Sequence, residues 1–218
     1  MKQIILIHTV QTMYLTFESR VREFLSEEVK IDNILDTYVT SNPNEIGYFS
    51  NDNLNRLFLL IKAAELAKPD LIAVVCSSMS PHVRYLANMF SVPVLRIDTR
   101  LGAEAIKKGK RIAVLASANS AVDPTSSLIL EAAAEAGVEV DIEAKVDPRA
   151  LQAMMSGDMD MHRKYMLELA GTISDKDVIV FAQGSTEYLT EDVEKMTGIP
   201  VVTAPQLLLE DIKATLEG

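Results

Sequence analysis

Ten residues of this chain occur twice in related form. Asp70-Leu-Ile-Ala-Val-Val-Cys-Ser-Ser-Met79 aligns without a gap on Asp177-Val-Ile-Val-Phe-Ala-Gln-Gly-Ser-Thr186, position 177 against 70, an offset of 107. Continued at that offset, Ser91-Val-Pro-Val94 meets Gly198-Ile-Pro-Val201, with Pro200 against Pro93. Each copy opens on an aspartate, runs through an apolar stretch suited to a strand buried on both faces, and breaks into a polar loop. The chain therefore reads as two copies of one α/β unit, residues 1–98 with 205–218 and residues 99–204.

The remaining segments fill in the two units. In the first, Ile4 to Ile7 reads as a buried strand ending at His8-Thr9-Val10. Residues 13–28 carry Leu15, Val21, Phe24 and Leu25 at helical spacing. A strand over Ile31 to Thr40, a turn at Ser41-Asn-Pro-Asn44 and a helix over 51–67 follow. Lys68-Pro69 leads into the Cys76 strand. Ser80-Pro81 reads as an N-cap and first-turn pair opening a helix to Phe90, ahead of a strand from Val92 to Ile97.

The second unit repeats this order. A connecting helix spans 99–108, and Arg111 to Ala116 is the counterpart of the first strand. The polar loop Ser117-Ala-Asn-Ser120, a helix from Pro124 to Ala136 stopped by Gly137, and a strand over Val138 to Ile142 come next. Residues 148–173 are helical with a break near Ser156-Gly157. Val178 to Ala182, a helix over 187–197, Pro200 to Thr203 and a closing helix over 206–216 complete the chain.

Strands alternating with helices specify parallel sheets with helices on both faces. In the flavodoxin-like order the first and third strands of a unit are neighbours. His8-Thr9 is then expected beside Cys76, and Ser117 to Ser120 beside Gln183 to Thr186. The expected fold class is α/β: two pseudo-symmetric flavodoxin-like units with parallel sheets and a ligand cleft between them, lined by all four loops.

Composition narrows the chemistry. Cys76 is the only cysteine among 218 residues, which excludes an internal disulfide and a multi-cysteine zinc site. The net charge of −10 disfavours nucleic acid and anionic membranes as partners, while leaving a small anion possible through local backbone donors. The N-terminus enters a short strand directly and no apolar run is long enough to span a bilayer, so a cytoplasmic location is expected. Neither a Gly-x-Gly-x-x-Gly nor a Walker-type loop occurs, which weakens a nucleotide-binding reading. Asp158-Met-Asp-Met-His162 reads as a helix start rather than a metal site, and His82 and His162 as surface residues inside helices.

Cys76 follows a buried parallel strand and precedes a helix start. Open α/β sheets bind ligands at such a place, and a helix dipole there favours a thiolate. His8 is the candidate to orient or deprotonate it. Thr9, Ser77, Ser78, Ser117, Asn119, Ser120, Thr125, Gln183, Gly184, Ser185 and Thr186 are the candidate donors for a substrate carboxylate. Each of these can equally serve as a helix cap or turn residue, and Thr125 as packing in a first helical turn.

With these residues in view, the chain resembles the aspartate/glutamate/hydantoin racemase superfamily. Cys76 after the third strand, Gln183-Gly-Ser-Thr186 in the mirrored place, Leu115-Ala-Ser-Ala-Asn-Ser-Ala-Val-Asp-Pro-Thr125 and Thr203-Ala-Pro-Gln-Leu-Leu-Leu-Glu-Asp-Ile212 carry the likeness. The resemblance implies cofactor-independent chemistry at a carbon next to a carboxylate. In two-thiol members one cysteine removes the α-proton and the other protonates the opposite face. Cys76 matches the first of these. Gln183 stands in the second place, or Gly184 or Ser185 after a small shift, and only Ser185 of these carries an exchangeable acid.

The expected function is therefore a racemase or epimerase acting on a small amino acid or related acid, with Cys76 as acid/base and Ser185 and His8 as further catalytic candidates. A one-base decarboxylase or isomerase of the same superfamily, a non-catalytic carboxylate-binding protein, and a thiol hydrolase using Cys76 and His8 are the alternatives. No metal or organic cofactor is expected, and a homodimer is the expected assembly.

Overall fold

The computed structural model describes residues 1–25 and 28–218. Two compact units emerge, Met1–Thr99 with Pro205–Gly218, and Arg100–Ala204.

The first unit contains β1 (Lys2–His8), α1 (Gln11–Phe24), β2 (Val29–Leu35), α2 (Tyr38–Ile46), α3 (Asn51–Leu66), β3 (Leu71–Val75), α4 (Ser80–Leu86) and β4 (Val94–Arg96). The strands form one parallel sheet in the order β2-β1-β3-β4. The second unit contains α5 (Leu101–Lys108), β5 (Arg111–Ala116), α6 (Val122–Ala136), β6 (Asp141–Val146), α7 (Pro148–Met155), α8 (Met159–Ala170), β7 (Val178–Phe181), α9 (Thr190–Thr197) and β8 (Val201–Val202). Its parallel sheet has the same order, β6-β5-β7-β8. The closing helix α10 (Ala204–Glu217) returns to the first unit, where the Lys213 ammonium sits 6.0 Å from the Phe24 ring centre.

β3 and β7 are buried at every position, and β1 and β5 from Ile4 and Ile112 onward, as parallel strands covered on both faces must be. On one face of the first sheet Ile5, Ile7, Ile72 and Val74 join Leu57 and Ile61 of α3 and Val83 of α4 in one cluster. Ala113, Leu115, Ile179 and Phe181 meet Met166 of α8 and Val193 of α9 in the second unit.

Backbone contacts explain why the repeated residues recur. Asp70 accepts the Gln3 N–H on its carboxylate at 2.7 Å, and Asp177 accepts those of Lys110 and Arg111 at 3.0 and 2.9 Å. Each aspartate thus ties the start of a third strand to the start of a first one. The Pro93 carbonyl takes the Ile72 N–H and the Pro200 carbonyl takes that of Ile179, both at 2.9 Å. Proline keeps its acceptor but has no donor, which suits the entry to an edge strand.

Three expectations are corrected. The strand to Thr40 and the turn at 41–44 give way to α2: β2 ends at Leu35, Asp36 caps the Tyr38 N–H at 3.1 Å, and Pro43 lies inside the helix. The strand placed at 138–142 begins three residues later. Gly137 closes α6 in the left-handed region (φ 65°), the Val138 N–H folds back to Ala133, and pairing with β5 starts only at Asp141. The helix expected over 81–90 is a seven-residue α4 between two 3₁₀ turns, Ser77–Met79 and Ala87–Met89. The end expected for the first helix covers residues 26 and 27, which lie outside the described residues; α1 itself stops at Phe24.

Candidate active site

The strand registers set out the candidate residues. His8 lies opposite Val75, so one step further along both strands stand Thr9 and Cys76. In the second unit Leu115 lies opposite Phe181, and two steps further stand Ser117 and Gln183. Thr9 and Cys76 are therefore the counterparts of Ser117 and Gln183.

The two pairs differ in how they are satisfied. The Gln183 Oε1 accepts the Ser117 N–H at 3.0 Å, and its Nε2 donates to the Ser117 hydroxyl at 3.0 Å. Both ends of the amide are committed to one buried neighbour. At the matching place in the first unit a thiol replaces the amide, and Cys76 is 7% exposed. The Thr9 hydroxyl is buried and has no hydrogen-bond partner among the described residues. An open buried hydroxyl costs about 1–3 kcal/mol. Its place at a strand end, beside the only cysteine, marks where a polar ligand group could satisfy it.

His8 is placed differently from the expectation. Cys76 shares a cluster with Ile5 and Ile7, and side chains alternate along β1, so His8 belongs to the other face. Its Nε2 lies 3.0 Å from Asn33 Oδ1, Asn33 donates in turn to Glu18, and the ring meets Tyr14 of α1 edge-on. Burial lowers the His8 pKa, opposed by the Asn33 bond and the Glu18 charge. Its Nδ1 is buried without a partner among the described residues. A Cys76–His8 hydrolase pair finds no support in this arrangement.

The loop after β3 is a single 3₁₀ turn in which the Met79 N–H donates to the Cys76 carbonyl at 3.2 Å. Its counterpart, Thr186 N–H to the Gln183 carbonyl, has the same length. Ser77 is half-buried and Ser78 exposed. Ser80 is not an N-cap: it is the first residue of α4, and its hydroxyl donates to the Cys76 carbonyl at 3.4 Å. In the second unit Asn119 and Ser120 are exposed in a 3₁₀ turn, while Gly184 and Ser185 are half-buried. The Thr186 hydroxyl is committed to the Gln183 carbonyl at 2.6 Å. Thr125 is buried in the first turn of α6, where it packs.

Asp98 escaped the sequence reading. It is 2% exposed and lies two residues past β4, and the pairing of Val74 with Arg96 brings it level with Cys76 when both strands are continued. Burial pushes its carboxyl above the usual range, against the Arg96 charge and a hydrogen bond with Ser80. Its position after a β-strand was the available signal; its burial was not.

Two histidines are also corrected. His162 is fully buried, on the α8 stripe it shares with Met166 and Ala170, and its Nδ1 lies 2.6 Å from the Tyr188 hydroxyl. His82 is half-buried, its ring stacked on Phe49 at 3.7 Å. Asp158 caps α8 through the Met161 N–H at 3.0 Å. Among the described residues, no three His, Cys, Asp or Glu side chains converge as metal ligands, and no helix is long and apolar enough to cross a membrane.

Comparison with known proteins then places this arrangement. The family described as Asp/Glu/Hydantoin racemase matches residues 8–212. No curated protein matches the chain significantly by sequence. Among solved structures, an aspartate racemase from Picrophilus torridus is similar with a TM-score of 0.76 at 15% identity, covering 99% of this chain and 94% of that one. A glutamate racemase from Bacillus anthracis gives 0.71 at 15% identity, with 99% and 82% covered. An allantoin racemase from Pseudomonas fluorescens gives 0.64 at 16%, with 99% and 91% covered. At these identities the structural likeness is one of fold.

Proposed function

We propose, from the premise that this chain belongs to the Asp/Glu/Hydantoin racemase family, that Cys76 is the acid/base of a racemase or epimerase acting next to a small acid's carboxylate. The Cys76 thiolate takes the α-proton: the C–H bond breaks, an S–H bond forms, and the electron pair moves into the carboxylate as an enediolate. The Thr9 and Ser77 hydroxyls and the backbone N–H groups opening the Ser77–Met79 turn stabilise the developing oxyanion. Return of that proton by the Cys76 thiol restores the starting enantiomer, so racemisation requires a proton delivered to the opposite face of the enediolate, for which Ser185 is the candidate acid. No metal or organic cofactor takes part in this reading.

The observation that supports it most is the unequal treatment of equivalent positions. In the second unit Gln183 and Ser117 satisfy each other; in the first, Cys76 stands beside a buried hydroxyl left open. The test is loss of optical purity in L-aspartate, L-glutamate, a 5-substituted hydantoin and allantoin, followed by chiral chromatography. One of them should racemise with the wild type, and Cys76→Ser should slow it by about 10²–10⁴-fold, the usual worth of a positioned acid/base. An undiminished rate in Cys76→Ser would contradict the assignment.

The same amide favours a second reading. Gln183 cannot shuttle a proton and is already engaged, so protonation from the Cys76 face alone would suit a decarboxylase. Release of carbon dioxide from a 2-substituted malonate, with one product enantiomer in excess, would favour it over racemisation.

A further inference from the structure

Behind Cys76 two buried polar residues join the loop after β3 to the end of β4. Ser80 is 1% exposed, and its hydroxyl donates to the Cys76 carbonyl at 3.4 Å. The same hydroxyl hydrogen-bonds with the Asp98 carboxyl. The Cys76 carbonyl also accepts the Met79 N–H at 3.2 Å, so both its lone pairs are used and the peptide after the thiol-bearing residue is fixed in plane.

We infer that Asp98 is a positioning residue for the Cys76 thiol, acting through the Ser80 hydroxyl on the Cys76 carbonyl. The inference rests on the reading of Cys76 as the working thiol. A serine hydroxyl has one proton to donate. When that proton serves the Cys76 carbonyl, the bond from Asp98 must run from its own O–H to the serine oxygen. The chain of donors is therefore complete only with a protonated carboxyl. Burial of Asp98 favours that form, opposed by the Arg96 guanidinium 3.8 Å from Oδ1 and by the Ser80 hydrogen bond. Oδ1 has no hydrogen-bond partner among the described residues.

The second unit makes the same tie with the partners exchanged. Glu187 stands at the Ser80 place and Thr203 at the Arg96 place, each 107 residues on, and the Thr203 hydroxyl donates to Glu187 Oε1 at 3.0 Å. An acid–hydroxyl bond thus links the loop after the third strand to the end of the fourth in both units. Only in the first does its serine reach the carbonyl of a cysteine.

Because the chain has one cysteine, alkylation by iodoacetamide read by intact mass reports on Cys76 alone. The full chain is compared with Asp98→Asn, Asp98→Ala, Ser80→Ala and the double alanine variant, each checked for folding by circular dichroism. Asparagine keeps a donor toward Ser80. Asp98→Asn should stay within about twofold of the wild-type rate, and either alanine variant should change it at least about fivefold. The double variant should go no further than the larger single effect, as expected for residues acting in series. Additive effects, wild-type rates in the alanine variants, or an asparagine variant changed as much as the alanine one would each overturn the inference. If Asp98→Ala does not fold, Ser80→Ala against Asp98→Asn decides the matter, and a wild-type rate in Ser80→Ala overturns it. Altered alkylation without turnover on any acid would leave the positioning role standing and remove the proposed reaction.

Discussion

Thr9→Val should stabilise this protein, and Ser117→Ala, at the equivalent place, should destabilise it. The buried Thr9 hydroxyl has no partner among the described residues, whereas the Ser117 hydroxyl accepts the Gln183 amide at 3.0 Å. Replacing an open hydroxyl by a methyl of similar size removes a desolvation cost of about 1–3 kcal/mol. Part of that is lost to imperfect methyl packing, so a net gain of about 1 kcal/mol is expected. In a chain of this length that raises Tm by roughly 2–4 °C. Ser117→Ala leaves the Gln183 Nε2 short of one acceptor, and half-exposure lets water repair part of the loss. The expected cost is about 0.5–1.5 kcal/mol. Thermal scans and urea titrations at fixed protein concentration measure both, with coincidence of two probes as the check on two-state behaviour. Thr9→Val should also weaken turnover, since stability and function would be drawing on the same hydroxyl. A destabilised Thr9→Val beside an unaffected Ser117→Ala would refute the reasoning.

Two further outcomes follow from the packing and the buried histidines. Gly102→Ala should destabilise the second unit by at least about 2 kcal/mol, read as a lowered urea midpoint, because its Cβ would fall 2.2 Å from the Leu128 carbonyl oxygen of α6. His8, His82 and His162 are each held below the ordinary imidazole pKa chiefly by burial. The unfolded chain then takes up these protons first. Their contribution is full above about pH 6.5 and is lost as pH falls from there toward the folded values. Tm should accordingly drop on going from about pH 7.5 to 5.5, with a shallower drop in His162→Phe. Asp98 has the opposite sign, its pKa being raised, so its contribution fades as pH rises through the folded value. Asp98→Asn should remove that component.

Much of the fold was legible because the repeat is written in residues with backbone duties. Asp70 and Asp177 hold the starts of neighbouring strands, and Pro93 and Pro200 present carbonyls to the third strands, so their spacing carried the strand order with it. Local signals were weaker where tertiary contacts override them. Pro43 and Asn44 spell a turn, yet the capping of Tyr38 by Asp36 and the burial of Val39 draw the segment into α2. Val138-Glu-Val140 has strand propensity, but the helix end at Gly137 uses its first N–H.

The candidate site divides along the same line. Cys76 and Thr9 were placed by strand ends alone, which the apolar runs define. The direction of His8 depends on counting alternation to the last residue of β1 and on a partner, Asn33, from a different strand. Asp98 and His162 owe their importance to burial beneath segments distant in sequence, and an isolated aspartate or histidine carries no pattern that announces it. The Gln183–Ser117 bond likewise exists only once two strand ends are set side by side.

The most direct test of the central claim is α-proton exchange in deuterated water, followed by proton NMR on a panel of amino acids, hydroxy acids, hydantoins and substituted malonates. Wild type and Cys76→Ala are compared on each compound, the variant chosen because alanine leaves no acid at the strand end. The account predicts deuterium uptake or carbon dioxide loss for at least one compound with the wild type, and none above background with Cys76→Ala. Exchange that persists in a folded Cys76→Ala protein would contradict it.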